Sequence, residues 1–216
     1  MIKAAEFKKH ISKSLAGQMK TLGFKGSGFS YIMDTEDYLF AVGIQASQYG
    51  GQCCVEFGIQ PKSLAGFIGE ILDFKKLKYY DCELRTRLSK NNGVDQWWQY
   101  SDNQEKNIEI ANEIYNLVVR QAFPIITLFK SDPNLFEKIE VSDLDNVYKH
   151  VAKKLAGMTL MTTEIRFAWV LTKMFENKNP EKAQQFAMFG LSKLNSSSTL
   201  IGKADFERVL SQNNGA

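Results

Sequence analysis

Apolar residues recur at helical spacing at the start of the chain. Ala4, Phe7, Ile11, Leu15, Met19 and Leu22 share one stripe, while Lys3, Lys8, Lys9, Lys13 and Lys20 lie largely off it. That period predicts an amphipathic helix packed on a core. Gly23 follows the last periodic residue, where a left-handed cap is easiest for glycine, and a glycine-rich turn through Gly26 and Gly28 comes next.

The period then changes to alternation. Phe29 to Met33, Tyr38 to Ala46 and Cys53 to Gln60 read as three strands joined by the polar turns around Asp34–Asp37 and Gln48–Gly51, connections short enough for an antiparallel meander. Alternate side chains leave a strand on opposite faces. One face receives Phe29, Tyr31, Met33, Phe40, Val42, Ile44, Val55, Phe57 and Ile59; the other receives Ala41, Gly43, Gln45, Cys54, Glu56, Gly58 and Gln60. A later strand over residues 81–88 adds Cys82, Leu84, Thr86 and Leu88 to the apolar face and Asp81, Glu83, Arg85 and Arg87 to the polar one. Adjacent Trp97 and Trp98 follow, and alternation sends one indole toward the core and the other beside the charges.

Helical spacing returns between and after these strands. A short helix over 64–72, with Leu64, Phe67, Ile68, Ile71 and Leu72, follows Pro61. A longer one, capped by Ser101 or Asp102, uses the stripe Ile108, Ala111, Ile114, Tyr115 and Val118, with Pro124 interrupting or ending it. From Pro133 the pattern is only helical, over Val141 to Leu155, Thr163 to Glu176, Pro180 to Leu194 and Ala204 to Leu210. The expected fold is α+β: an antiparallel sheet of four to five strands with helices on one face, then an all-helical C-terminal extension. The expected boundary puts the α+β domain at 1–131 and the extension at 132–216. In the extension, the aromatics around Trp169 and Phe186 read as an αα-hairpin with its own core.

Composition narrows the class. The chain has 216 residues and three cysteines, with Cys53 and Cys54 adjacent, which is no disulfide framework. No apolar run approaches the roughly 20 residues of a membrane span, and the N-terminus lacks a secretory signal, so the expected setting is soluble and cytoplasmic. The net charge of +3 is too small to imply nucleic acid. Charge comes in alternating blocks, with six bases against one acid in residues 1–25 and four acids without a base in 26–61, which suits faces that balance within the fold.

Most motifs for catalysis fail. Gly26-Ser27-Gly28 follows a helix and precedes a strand, the reverse of a phosphate-binding turn, and reads as a turn only. His10 and His150 lack the converging partners zinc needs, so no metal and no cofactor is expected. Cys54 is the best-placed thiol, sharing a face with Arg85 and Arg87, but a thiol nucleophile also needs a depressed pKa. Glu56 and Glu83 could act as an acid/base pair only if their strands set them opposite each other.

Leu22-Gly23-Phe24-Lys25, the Ile44-Gln45 strand end, Val55-Glu56-Phe57-Gly58-Ile59, Cys82 with Arg85-Thr86-Arg87-Leu88, and then Asp95-Gln96-Trp97-Trp98 occur in this order. Over roughly the first 130 residues this resembles the bacterial family termed domain of unknown function 4304. Arg-x-Arg-Leu followed by Asp-x-Trp-Trp is the most specific part. The resemblance implies an α+β domain with an antiparallel sheet and no established activity; the helical tail lies outside it.

The polar sheet face is therefore the candidate site, with Gln45, Glu56, Gln60, Glu83, Arg85, Arg87, Trp97 and Trp98 as its residues. Paired guanidinium forks, amides and an aromatic wall suit recognition of a protein or a small anionic ligand. The expected function is a non-catalytic protein-interaction or ligand-binding module. The alternative is a small hydrolase or transferase using Glu56, Glu83, Arg85 and Arg87 in a cleft. Nucleic-acid binding through the basic helix and tail would require steep salt dependence. No membrane partner is expected.

Overall fold

A computed structural model describes residues 2–64, 73, 75–91, 94–194 and 202–211. The chain divides into two compact units, Met1–Lys62 with Leu72–Lys130, and Ser63–Ile71 with Ser131–Ala216.

The first unit opens with helix α1 (Ala4–Thr21), which buries Phe7, Ile11, Leu15 and Met19. Its end is a Schellman cap: Gly23, at φ +90°, donates its N–H to Lys20 O, and Phe24 N–H reaches Met19 O. Strands β1 (Lys25–Ser27), β2 (Ser30–Asp34), β3 (Tyr38–Ala46), β4 (Gln52–Pro61) and β5 (Leu84–Leu88) form one antiparallel sheet in chain order. A sixth strand, β6 (Trp98–Gln99), pairs with β4 through Gln52↔Gln99 and Cys53↔Trp98. The continuous path holds the expected five strands, and short β6 lies off it. Gly26-Ser27-Gly28, read as a turn only, is in part strand: Lys25, Gly26 and Ser27 pair with Ile32, Tyr31 and Ser30, and only Gly28 and Phe29 turn.

One sheet face is the main core. Phe40 and Phe57 stack with centroids 6.2 Å apart, and Phe129 of α3 (Phe123–Ser131) meets Phe40 and Tyr38 edge-on. Helix α2 (Gln104–Leu117) packs on α1. Its N-cap is Asn103, rather than Ser101 or Asp102, and accepts N–H bonds from Glu105 and Lys106. Asn107 takes the core-facing position expected of Ile108. It is fully buried because its amide accepts Ser101 N–H, donates to Ser101 O and reaches His10 Nδ1 at 2.8 Å. Pro124 neither breaks nor ends the helical run. The turn Val118–Ala122 widens to π geometry and α3 continues, with the proline near its start, where its missing N–H is tolerated.

The opposite sheet face is not uniformly polar. The segment Leu77–Cys82, with its single 3₁₀ turn at Tyr79–Asp81, lies across its middle. Leu77 and Cys82 form a second apolar cluster with Leu39 and Ala41. A β-carbon on Gly58 would sit 2.8 Å from Cys82 Sγ and from Tyr79 O, and one on Gly43 would overlap the Tyr79 ring. Bare glycines on neighbouring strands are what allow this approach. Cys82 therefore belongs to the second face, not the first: β5 starts only at Leu84, and the turn before it breaks the alternation. The expected helix over 64–72 lies outside the described residues apart from Leu64.

The second unit is helical. The stretch read as one helix over 141–155 is a 3₁₀ run (Val141–Asn146), a π turn (Val147–Val151) and the short α4 (Ala152–Lys154). Helices α5 (Glu164–Phe175) and α6 (Pro180–Lys193) form the expected hairpin, with Asn179 capping α6 and Pro180 at its first position. Helix α7 (Lys203–Ser211) closes on α6, where Gly190 faces the Phe206 ring without a side chain between them. Phe167, Trp169, Phe175 and Phe186 are buried.

Candidate functional site

Strand register assembles the site. Glu56 of β4 stands opposite Arg87 of β5 and Gly43 of β3, while Gly58 stands opposite Arg85. Glu56 is 3% exposed, and both arginines converge on it: Arg85 Nη1 lies 3.7 Å from Oε2 and Arg87 Nε lies 3.6 Å from Oε1. These are ion pairs beyond ordinary hydrogen-bond length. Arg87 is held further by Asp95, by Gln45 Oε1 at 3.4 Å and by Trp97, whose ring lies 5.7 Å from the guanidinium. Gln45 Oε1 also accepts from Cys54 Sγ at 3.3 Å. The Arg85 and Arg87 side chains are 29% and 24% exposed, so the forks lie partly sunk in the face rather than free above it.

Gln45, Glu56, Arg85, Arg87 and Trp97 therefore come together. Trp98 does not: it is buried, and its Nε1–H donates to Glu113 Oε2 at 2.9 Å. Hydrogen bonds from Lys90 and Trp98 hold the Glu113 carboxyl below its usual range. Gln60 is fully buried at the other end of β4, accepting Glu83 N–H and donating to Pro61 O. Glu83 accordingly lies beside Gln60 and not opposite Glu56, so the strands do not form the conditional acid/base pair.

Two participants were not among the expected site residues. Asp95 reaches Arg87 from the turn before the tryptophans, and its place as the aspartate of the Asp-x-Trp-Trp stretch was the available signal. Tyr79 arrives over Gly43 from the crossing segment, and nothing local announces it. Burial, with Glu56 nearby, pushes the Tyr79 phenol up to about 12. Burial likewise pushes the Cys54 thiol up to about 11, outweighing the opposing pull of Arg87, and Cys53 up to about 12. Thiols in this range stay protonated near neutral pH.

Among the described residues no cluster of three or more His, Cys, Asp or Glu side chains is arranged to hold a metal, and no helix is long and apolar enough to cross a membrane. No curated protein and no solved structure matches the chain. A family model does match, over residues 15–128, and it takes in the C-terminal part of α1, the whole sheet, α2 and the first two thirds of α3. Arg85-Thr86-Arg87-Leu88 and Asp95-Gln96-Trp97-Trp98 both fall inside the matched region. On a match spanning more than half of its length, the chain belongs to the family described as domain of unknown function (DUF4304).

Proposed function

We propose that this chain is a non-catalytic binding module whose arginine–tryptophan cluster recognises a carboxylate-bearing protein segment or a small anionic ligand. The observation that supports this reading is the pair of guanidiniums oriented by one buried carboxylate beside a half-buried indole. Arginines held this way lose little conformational freedom when a ligand arrives. Arg85 keeps most of its five N–H donors for such a ligand, because its Glu56 contact is an ion pair at 3.7 Å and not a hydrogen bond. Arginine and tryptophan are also the residue types that most often carry interface energy. Catalysis is less well supported, since Cys54 is a high-pKa thiol and Glu56 has guanidiniums rather than a second carboxylate facing it.

Arg85→Ala is the clean test. Removing both arginines would strand buried Glu56, at a cost of about 3–5 kcal/mol. Arg85→Ala leaves Arg87 in place and should cost no more than about 1 kcal/mol. Wild-type and Arg85→Ala chains are used as baits in parallel, with retained proteins identified by mass spectrometry and folding checked by circular dichroism. A partner retained by the wild type and lost by the folded variant is expected. Identical recoveries from both baits would overturn the reading.

A further inference from the structure

The other end of the second sheet face has a different chemistry. Lys25 and Ser27 of β1, Ser30, Ile32 and Asp34 of β2 and Leu39 of β3 share this face by register. They line a cavity of about 710 Å³ together with Lys8, Lys62, Lys75 and Lys78. Five lysines against one aspartate leave four unbalanced positive charges. Asp34 is already paired with Lys62 at 2.7 Å; among the described residues the ammonium groups of Lys8, Lys25, Lys75 and Lys78 make no ion pair, and the nearby Asp73 and Asp81 carboxylates accept the backbone N–H groups of Lys75 and Lys78. Lysines from α1, β1, the end of β4 and the segment before Tyr79, mostly exposed at the rim, gather around one cavity and make a local positive field that a bound anion would offset.

The geometry points to a binding site for a small polyanion, carrying two or more phosphate or carboxylate groups, in this lysine-lined cavity. Its volume lies within the range of small-molecule sites, roughly 300–1,000 Å³. Ser27 and Ser30 are register partners, and Lys25, two residues before Ser27, shares their face, so donors line the sheet side, while Lys78 of the crossing segment and Lys75 just before it complete the lining. This site is separate from the arginine–tryptophan cluster and does not depend on the reading given to it.

The test is calorimetric titration of the full chain with inorganic tripolyphosphate and, separately, with citrate, at low and at physiological salt. Saturable one-to-one binding of at least one probe is expected, weakening as salt rises. The probe that binds better identifies phosphate or carboxylate as the preferred group. Lys25→Gln combined with Lys78→Gln should weaken it at least about tenfold, two lost charge contacts being worth that much at low salt. Lys149→Gln with Lys153→Gln, exposed in the other unit, should leave it unchanged. Both variants remove the same charge, so equal weakening would mean general electrostatics and would overturn the site. Absence of saturable binding by either probe would also overturn it. So would single-stranded DNA that binds more tightly than both probes with an affinity that grows with its length.

Discussion

Replacing Gly43 with alanine tests whether Tyr79 truly closes over the sheet. Gly43 has no left-handed backbone to protect, so alanine at a strand position should by itself stabilise by about 0.4–1 kcal/mol through the unfolded chain. The Tyr79 ring reverses that sign. A β-carbon at this position overlaps Cδ1, Cε1 and Cγ of Tyr79, near the base of the side chain, so no turn of a flexible tip relieves the clash. The ring would have to retreat by roughly 2 Å to regain ordinary contact at about 3.5 Å. It cannot retreat alone, because Tyr79 O and Cys82 are themselves seated over Gly58. Overpacking of this kind costs about 1–3 kcal/mol. Gly43→Ala should therefore lower the urea midpoint in the wild-type background and raise it slightly when Tyr79 is already alanine. The cycle gives a coupling of about 1.5–4 kcal/mol between two positions far apart in sequence. Gly17→Ala is the control: it lies within α1 with nothing within 4 Å of its added carbon, and should stabilise by about 0.8–1 kcal/mol in either background. Gly43→Ala that stabilises as Gly17→Ala does, or a coupling near zero, would refute the covering role of Tyr79.

Two further outcomes follow from burial and charge. Ile11 is fully buried in the α1 stripe, so Ile11→Asp should cost several kcal/mol in urea unfolding, whereas exposed Lys13→Asp should change stability by less than about 0.5 kcal/mol; equal effects would mean that α1 is not packed as described. Glu176, hydrogen-bonded by Arg208 and then by Lys173, has its carboxyl pulled down from 4.5 to about 2. Its contribution, at most about 3 kcal/mol, should be complete above pH 4.5 and lost as the pH falls toward 2, and urea midpoints of Glu176→Gln should lack that slope.

Local signals made much of the fold legible. The α1 stripe, the Gly23 cap and the β3 limits depend on neighbours a few residues away, and those neighbours are visible in the sequence. Asn107 shows where this stops. A buried amide among helical apolar positions reads as a surface residue until Ser101 and His10 are known to surround it. Cys82 shows a second limit: parity carries a residue to the right face only while the strand continues, and the 3₁₀ turn at Tyr79–Asp81 resets it. At the candidate site, Arg85, Arg87, Glu56 and Gln45 were legible because they share strand parity across adjacent strands. Whether they are exposed was not, since that depends on how deeply Glu56 draws the guanidiniums in.

The lysine-lined cavity was still less legible, because its members come from α1, β1, β4 and the segment around residue 75, and only the β2 hairpin and the crossing segment bring them together. Gly43 and Gly58 leave the bare backbone that a close approach to the sheet requires, but a glycine does not say which segment makes it. The same segment now explains both ends of the face. Lys78 borders the cavity, the next residue covers Gly43 beside Glu56, and Cys82 seats the far end on Gly58. A substitution that lifts Tyr79 from Gly43 must therefore shift Lys78 as well. Gly43→Ala should accordingly weaken tripolyphosphate or citrate binding, although Gly43 does not line the cavity. Retained affinity in a variant whose turn has demonstrably moved would mean that the lysines act as a diffuse field and not as a site held in shape by the crossing segment.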